Sequence, residues 1–316
     1  MISRGKPLSN PSGLAIRKAG RRDGAGGASV DCPLCGPSVA RELVAKEFPY
    51  QRRLCACEGC GIVRMIAENP FGRDYWEDDA LGLDVYDNHE VRAEMRRRYA
   101  RYLPVITRFC GRTGALLDVG CGIGNFLLAA RDAGWQVAGT EASAKAAAVA
   151  RSRGLKVETA RLEESRHPPG TFDAISLWDV IPHLEDPAVG IRALHRMLKP
   201  GGVVFLETPD ENFVLRSALR RAFALSQGRI DLLEYVYRPE HRFYFTAVTL
   251  PRVLERGGFR TVALWRDVTS PAKAHRKVAA SRFPLSRLVL PFLSVSLEIL
   301  RPLGIGNKLM LAAQKA

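Results

Sequence analysis

Residues 116–127 read Leu-Leu-Asp-Val-Gly-Cys-Gly-Ile-Gly-Asn-Phe-Leu. A short apolar run ends in Asp118, glycines follow at 120, 122 and 124, and an apolar helix pattern begins. That is a strand, a tight glycine turn and a helix start. Glycine serves where backbone bends sharply or approaches a ligand, and such a turn ends the ligand-side strand of doubly wound sheets. The spacing Asp-x-Gly-x-Gly-x-Gly differs from the Gly-x-Gly-x-x-Gly of dinucleotide folds. An acid just before the first glycine suits a cationic ligand end, such as an amino-acid ammonium. Glu141 lies 23 residues after Asp118, at the end of the next apolar run. A carboxylate there accepts both ribose hydroxyls; the alternative is an acid favoured by a helix start. His183 is the candidate general base, with an unperturbed pKa suited to proton transfer near neutrality. Its alternative is a histidine that caps or packs. His241 is a second catalytic candidate or an acceptor contact, and Trp178 and Tyr244 are candidates for shaping a pocket or filling the core.

Two further clusters are Cys32-Pro-Leu-Cys35-Gly and Cys57-Glu-Gly-Cys60-Gly. Each Cys-x-x-Cys-Gly knuckle places two thiolates on one metal, its turn aiming backbone N–H groups at sulfur. The two together make a tetrahedral site for zinc at Cys32, Cys35, Cys57 and Cys60, with zinc-ribbon spacing. A closed site of four thiolates leaves no open coordination position, so this zinc is structural. A segment of about 35 residues is too small for its own core and needs such a staple. Cys55 is an extra thiol beside Cys57, and Cys110 and Cys121 stand alone. That usage suits a reducing, cytoplasmic setting better than a disulfide framework.

These residues need a scaffold, and the hydrophobic pattern describes one. From residue 114, strands alternate with helices: strands over 115–119, 136–140, 156–158, 172–177, 202–207, 261–265 and 308–313, and helices over 125–133, 144–153, 188–198 and 250–256. Alternation of this kind predicts a Rossmann-like α/β fold with a doubly wound, mostly parallel seven-stranded sheet. The division expected is a disordered basic tail (1–30), a zinc-ribbon segment (31–66), a helical connector (67–110) and a catalytic domain (111–316). Insertions at 210–246 and 270–306 read as lids over the ligand crevice or as packing against a partner.

The 316 residues carry a net charge of +14 and a pI near 9.8. That balance favours acidic partners: nucleic acid, phosphorylated substrates or an anionic membrane surface. A solubilising basic surface is the plain alternative. The N-terminus has no apolar h-region, so no signal peptide is expected, and no stretch is long and apolar enough to cross a membrane. Residues 283–303 come closest, interrupted by Pro284, Pro291 and Pro302; peripheral membrane contact there is one reading.

The segment Asp118–Gly124 closely resembles motif I of class I S-adenosylmethionine-dependent methyltransferases. Phe172-Asp173-Ala174-Ile175 resembles their fourth strand, and Leu198-Lys199-Pro200-Gly201-Gly202 the turn before their fifth. His241-Arg242-Phe243-Tyr244-Phe245-Thr246 and Gly257-Gly258-Phe259 resemble later elements of the family. The resemblance covers about 114–265 and the last strand. It implies S-adenosylmethionine held by Asp118, Gly120, Cys121, Gly122, Gly124, Glu141, Ala142, Leu162, Trp178 and Asp179, with Leu162 at the adenine. In ubiquinone-type O-methyltransferases and deoxysugar C-methyltransferases a Glu-His pair stands where this chain has Pro182-His183. The zinc ribbon, helical connector and class I core together resemble methyltransferases of polysaccharide and deoxysugar synthesis. They imply a sugar or glycan-pathway acceptor, such as a nucleotide-sugar, methylated at oxygen or carbon. The alternative is an rRNA or tRNA methyltransferase whose ribbon binds RNA. Against it, no aromatic-interleaved basic strand is seen, and the Asn/Asp-Pro-Pro-Tyr/Phe signature is absent at Trp178–Ile181. A zinc-ribbon binding protein with a degenerate core is a third reading, opposed by the intact motif I and Glu141.

Overall fold

The computed structural model describes residues 28–46, 52–67, 89–238, 240–269 and 306–316. Residues 1–27 of the proposed tail, most of the connector before residue 89, and the segment 270–305 with its membrane-contact reading lie outside them; residues 28–30, expected in the tail, belong to a strand.

The larger sheet has seven strands: β5 (Ala115–Val119), β6 (Gln136–Glu141), β7 (Val157–Thr159), β8 (Phe172–Trp178), β9 (Leu198–Pro209), β11 (Phe259–Asp267) and β12 (Lys308–Lys315). Their order is β11-β12-β9-β8-β5-β6-β7. Strands β5 to β9 run parallel, and β12 is antiparallel to both its neighbours. The strand order reverses between β5 and β8, which opens a crevice at their carboxyl ends. The central strands bury side chains on both faces, as continuous apolar runs do when helices cover a sheet. Helix α2 (Asn125–Asp132) follows β5, α3 (Ala144–Ser152) follows β6, and α4 (Pro187–Met197) follows β8. Ser143 caps α3 by accepting from the Ala146 N–H. Asp186 caps α4 ahead of Pro187, a position where the missing proline N–H costs nothing.

Helix α1 (His89–Cys110) is more than a connector. Val91, Met95, Tyr99, Tyr102 and Ile106 recur at helical spacing and join one core with Leu116, Phe126 and Phe205. The helix is a layer of the larger-sheet domain, because its apolar stripe has the sheet to cover.

The second sheet comprises β1 (Ala28–Cys32), β2 (Gly36–Lys46), β3 (Arg52–Cys57), β4 (Val63–Ala67) and β10 (Phe243–Tyr244), in that order. The ribbon is therefore completed by a strand from far along the chain. The segment 210–246 differs from the lid expectation. Its helix α5 (Val214–Leu225) and the turn at Leu233–Tyr235 pack on the ribbon sheet, where Leu233, Tyr237 and Tyr244 share a cluster with Val44, Leu54 and Met65. Apolar surface on both pieces is removed from water at that junction, and no described residue of 210–246 lines the crevice. Helix α6 (Thr249–Arg256) leads into β11.

Candidate active site and metal centre

The crevice at the switch point is a cavity of about 280 Å3. One end is made by the β5 turn. Gly120 has φ 65°, and a Cβ there would stand 2.6 Å from Val180 Cγ2, so only glycine fits. The Gly120 and Cys121 N–H groups donate to the Thr140 carbonyl at 2.7 and 3.2 Å, tying the turn to β6. Asp118 is buried at the turn's mouth and accepts from Ser176 Oγ at 2.6 Å. Burial raises its carboxyl pKa to about 8, the Glu141 charge adding to the rise and Ser176 opposing it. A cation beside Asp118 would reverse that.

Glu141 accepts from the Gly122 N–H at 2.7 Å and the Ser143 N–H at 2.9 Å. It thus fastens motif I to the start of α3. Ala142, Leu162, Trp178 and Asp179 also line the cavity, with Leu162 in a short turn at Leu162–Glu164.

Two of the expected site residues stand outside the cavity lining. Gly124 does not line the cavity. With φ 84°, it starts α2, and a Cβ there would meet Leu155 Cδ1 at 2.2 Å; it packs closely against α3 and the turn that follows it. His241 also lies outside the lining. It is buried behind His183, ring edge to ring face at 4.6 Å.

His183 does line the cavity, in the turn Ile181–His183 after β8. Its Nδ1 lies 3.0 Å from the Glu240 carbonyl oxygen. A carbonyl only accepts, so Nδ1 carries the proton and Nε2 is the basic nitrogen. Burial holds the imidazole pKa down at about 4, against the opposing pull of Glu240.

The cavity wall also holds a charge network that the sequence reading missed. Arg98 pairs with Glu207, and reaches Asp267 at 3.4 Å. Lys308 pairs with Asp179 and approaches Glu207 at 3.6 Å. Asp179 adopts φ 64°, a strained conformation for a non-glycine residue. The Trp178 ring packs 5.1 Å from both Tyr99 and Phe126. Arg98 Nε, Trp178 Nε1 and Thr140 Oγ1 are buried with no hydrogen-bond partner among the described residues, and all three residues line the cavity. Unsatisfied buried donors are costly, which fits a polar occupant. A signal existed for two of these residues: Arg98 interrupts an apolar helical stripe, and Glu207 ends an apolar strand as Asp118 and Glu141 do.

The comparisons with known proteins agree with this geometry. Residues 88–264, more than half of the chain, match the model of a methyltransferase domain family. The chain belongs to that family. This methyltransferase is 38% identical over 145 residues to the ubiquinone biosynthesis O-methyltransferase of Pseudomonas paraeruginosa, covering 44% of this chain and 59% of the relative. It is 34% identical over 122 residues to the protein of that name from Albidiferax ferrireducens, covering 35% and 48%. The chain thus spans about half the length of the curated relatives it matches. Among solved structures, it resembles geranyl diphosphate C-methyltransferase from Streptomyces coelicolor with a TM-score of 0.53 at 15% identity, over 79% of this chain and 100% of that one. Phosphoethanolamine N-methyltransferase 2 of Haemonchus contortus gives 0.51 at 17% identity, over 80% and 62%. These two likenesses concern the fold, that of class I S-adenosylmethionine-dependent methyltransferases.

In the methyltransferase's ribbon, the Sγ atoms of Cys32, Cys35, Cys57 and Cys60 all lie within 4.8 Å of one another. Tetrahedral zinc with Zn–S bonds of about 2.3 Å needs sulfurs about 3.8 Å apart, so the donor set fits. Cys55 is excluded: it is fully buried in a separate apolar cluster with Val30 and Ala40.

Proposed function

We propose that this protein is a methyltransferase that uses S-adenosylmethionine to methylate a hydroxyl of a small molecule, a sugar or another glycan-pathway intermediate. When bound, S-adenosylmethionine supplies an electrophilic methyl carbon on a sulfonium. Asp118 would hold its ammonium end, Glu141 its ribose and the Leu162 turn its adenine. The observation that carries the reading is the cavity that joins the Asp118–Gly122 turn to His183, whose Nε2 is the basic nitrogen. His183 takes the acceptor's proton at Nε2, since Nδ1 is committed to Glu240. The sugar reading is supported by the polar groups of the cavity wall: Arg98 Nε, Trp178 Nε1 and Thr140 Oγ1 are buried there without a hydrogen-bond partner among the described residues, and a hydroxyl-rich occupant would satisfy them. The four cysteines would hold a structural zinc.

The test is label transfer from methyl-labelled S-adenosylmethionine to a panel of nucleotide-sugars, free glycosides, catechols and RNA. Label in a sugar hydroxyl is expected. Label in RNA, or in catechols alone, would overturn the acceptor assignment.

A further inference from the structure

The ribbon and the cavity are joined through main chain. The second knuckle closes with the Cys57 N–H donating to the Ile62 carbonyl at 2.9 Å and the Gly61 N–H to the Cys57 carbonyl at 2.8 Å. Ile62 leads directly into β4, and β4 pairs with β10 through Arg64–Phe243 and Val63–Tyr244. One residue later in the ladder, the Arg242 carbonyl accepts from the Met65 N–H at 2.9 Å, while the Arg242 N–H donates to the Pro182 carbonyl at 2.7 Å. The Glu240 carbonyl then holds His183 Nδ1. Cys32, Cys57, Ile62, Ile181 and Phe243 share one apolar core. Strand β10 has two residues, too few to keep its place without the sheet edge it joins.

We propose that Arg242 and Glu240 are positioning residues, acting through their main chain, and that the cysteine centre sets the orientation of His183 through them. The Arg242 backbone is bonded on one side to the ribbon and on the other to the turn that carries His183. Zinc in the four-cysteine centre holds the second knuckle closed, which holds β4, which holds β10. The side of the cavity at Asp118 and Glu141 belongs to β5 and β6, and none of the main-chain hydrogen bonds of this path reaches it. The proposal rests on the reading of His183 as the base only for its consequence in turnover; the coupling itself concerns geometry.

The experiment compares zinc-loaded protein, protein stripped of metal by a thiol-directed chelator, and the variants Arg242→Pro and Arg242→Ala. Arg242→Pro deletes the N–H that reaches Pro182 yet leaves all four cysteines, so it serves if the stripped protein unfolds. The first readout is the ring 15N spectrum of His183, which distinguishes the Nδ1–H tautomer. The second is calorimetric affinity for S-adenosylhomocysteine. Stripping and Arg242→Pro are expected to abolish the Nδ1–H signature, while Arg242→Ala keeps it and S-adenosylhomocysteine affinity stays within about twofold throughout. An unchanged His183 spectrum in the stripped protein or in Arg242→Pro would overturn the proposal. So would loss of S-adenosylhomocysteine binding in step with the spectral change, since that is general unfolding. If His183→Ala turns over normally while the spectral coupling holds, the base assignment fails and the coupling stands.

Discussion

His183 Nδ1 and the Glu240 carbonyl oxygen, 57 residues apart, stand at 3.0 Å. That one contact decides which imidazole nitrogen accepts a proton. It predicts that His183→Ala lowers kcat by about 100-fold or more, the range of general-base contributions, with S-adenosylmethionine affinity held within twofold. Steady-state kinetics with calorimetry checks this, and an unchanged kcat would remove His183 from the mechanism.

The same histidine predicts a direction for stability. Its folded pKa, about 4, lies below the ordinary value of 6.5 because burial disfavours the cation. The unfolded chain therefore binds the proton first as pH falls. Its contribution to stability is complete above about pH 6.5 and is lost between there and pH 4. In denaturant titrations, His183→Gln should flatten the wild-type decline in that window.

Asp118 predicts proton release on cofactor binding. Its raised pKa of about 8 leaves the carboxyl mostly protonated at pH 7, whereas an ammonium partner favours the carboxylate. Calorimetry of S-adenosylhomocysteine at pH 7, in buffers of different ionisation enthalpy, should show most of one proton released. Asp118→Asn should abolish the release and weaken binding. Equal heats in every buffer would contradict the assignment.

Two glycines of the motif should separate. Gly120→Ala meets both a positive φ and Val180 at the cavity wall, so stability falls by about 1–3 kcal/mol and cofactor affinity falls with it. Gly124→Ala meets Leu155 away from the cavity and should cost a similar amount of stability with little loss of affinity per folded molecule. Thermal unfolding paired with calorimetry distinguishes the two.

Elemental analysis should find about one zinc per chain. Stripping it should lower Tm by about 5–8 °C, equivalent to about 3–5 kcal/mol for a chain of this size. In the buried network, Arg98→Met should cost about 3–5 kcal/mol by leaving Glu207 without its main partner, and Arg98→Met with Glu207→Gln should recover much of it. Chemical denaturation measures both.

The strands around the glycine turn were legible because each is a local pattern. An apolar run, a terminal acid and a glycine turn lie within ten residues at Leu116–Gly124, and the observed β5, β6, β8 and β9 sit close to where periodicity puts them. The cysteine knuckles were legible for the same reason, ligand spacing being a local property. The charge network on the cavity wall was not. Arg98 meets Glu207 and Asp267, and Asp179 meets Lys308, across separations of 109, 169 and 129 residues, and no local period encodes such partners.

By itself the sequence determined the sheet, the glycine turn with Asp118, the placement of Glu141 at a strand end and the four thiols. These follow from backbone sterics and side-chain period, which act over a few residues. Tertiary structure decided that Gly124 packs while Gly120 lines the cavity, that His241 stands behind His183, and that 210–246 completes the ribbon sheet. It also decided that helix α1 brings Arg98 and Tyr99 to the cavity. Those outcomes depend on which buried surfaces meet, and apolar burial is non-directional: many pairings satisfy the same pattern until the whole chain packs.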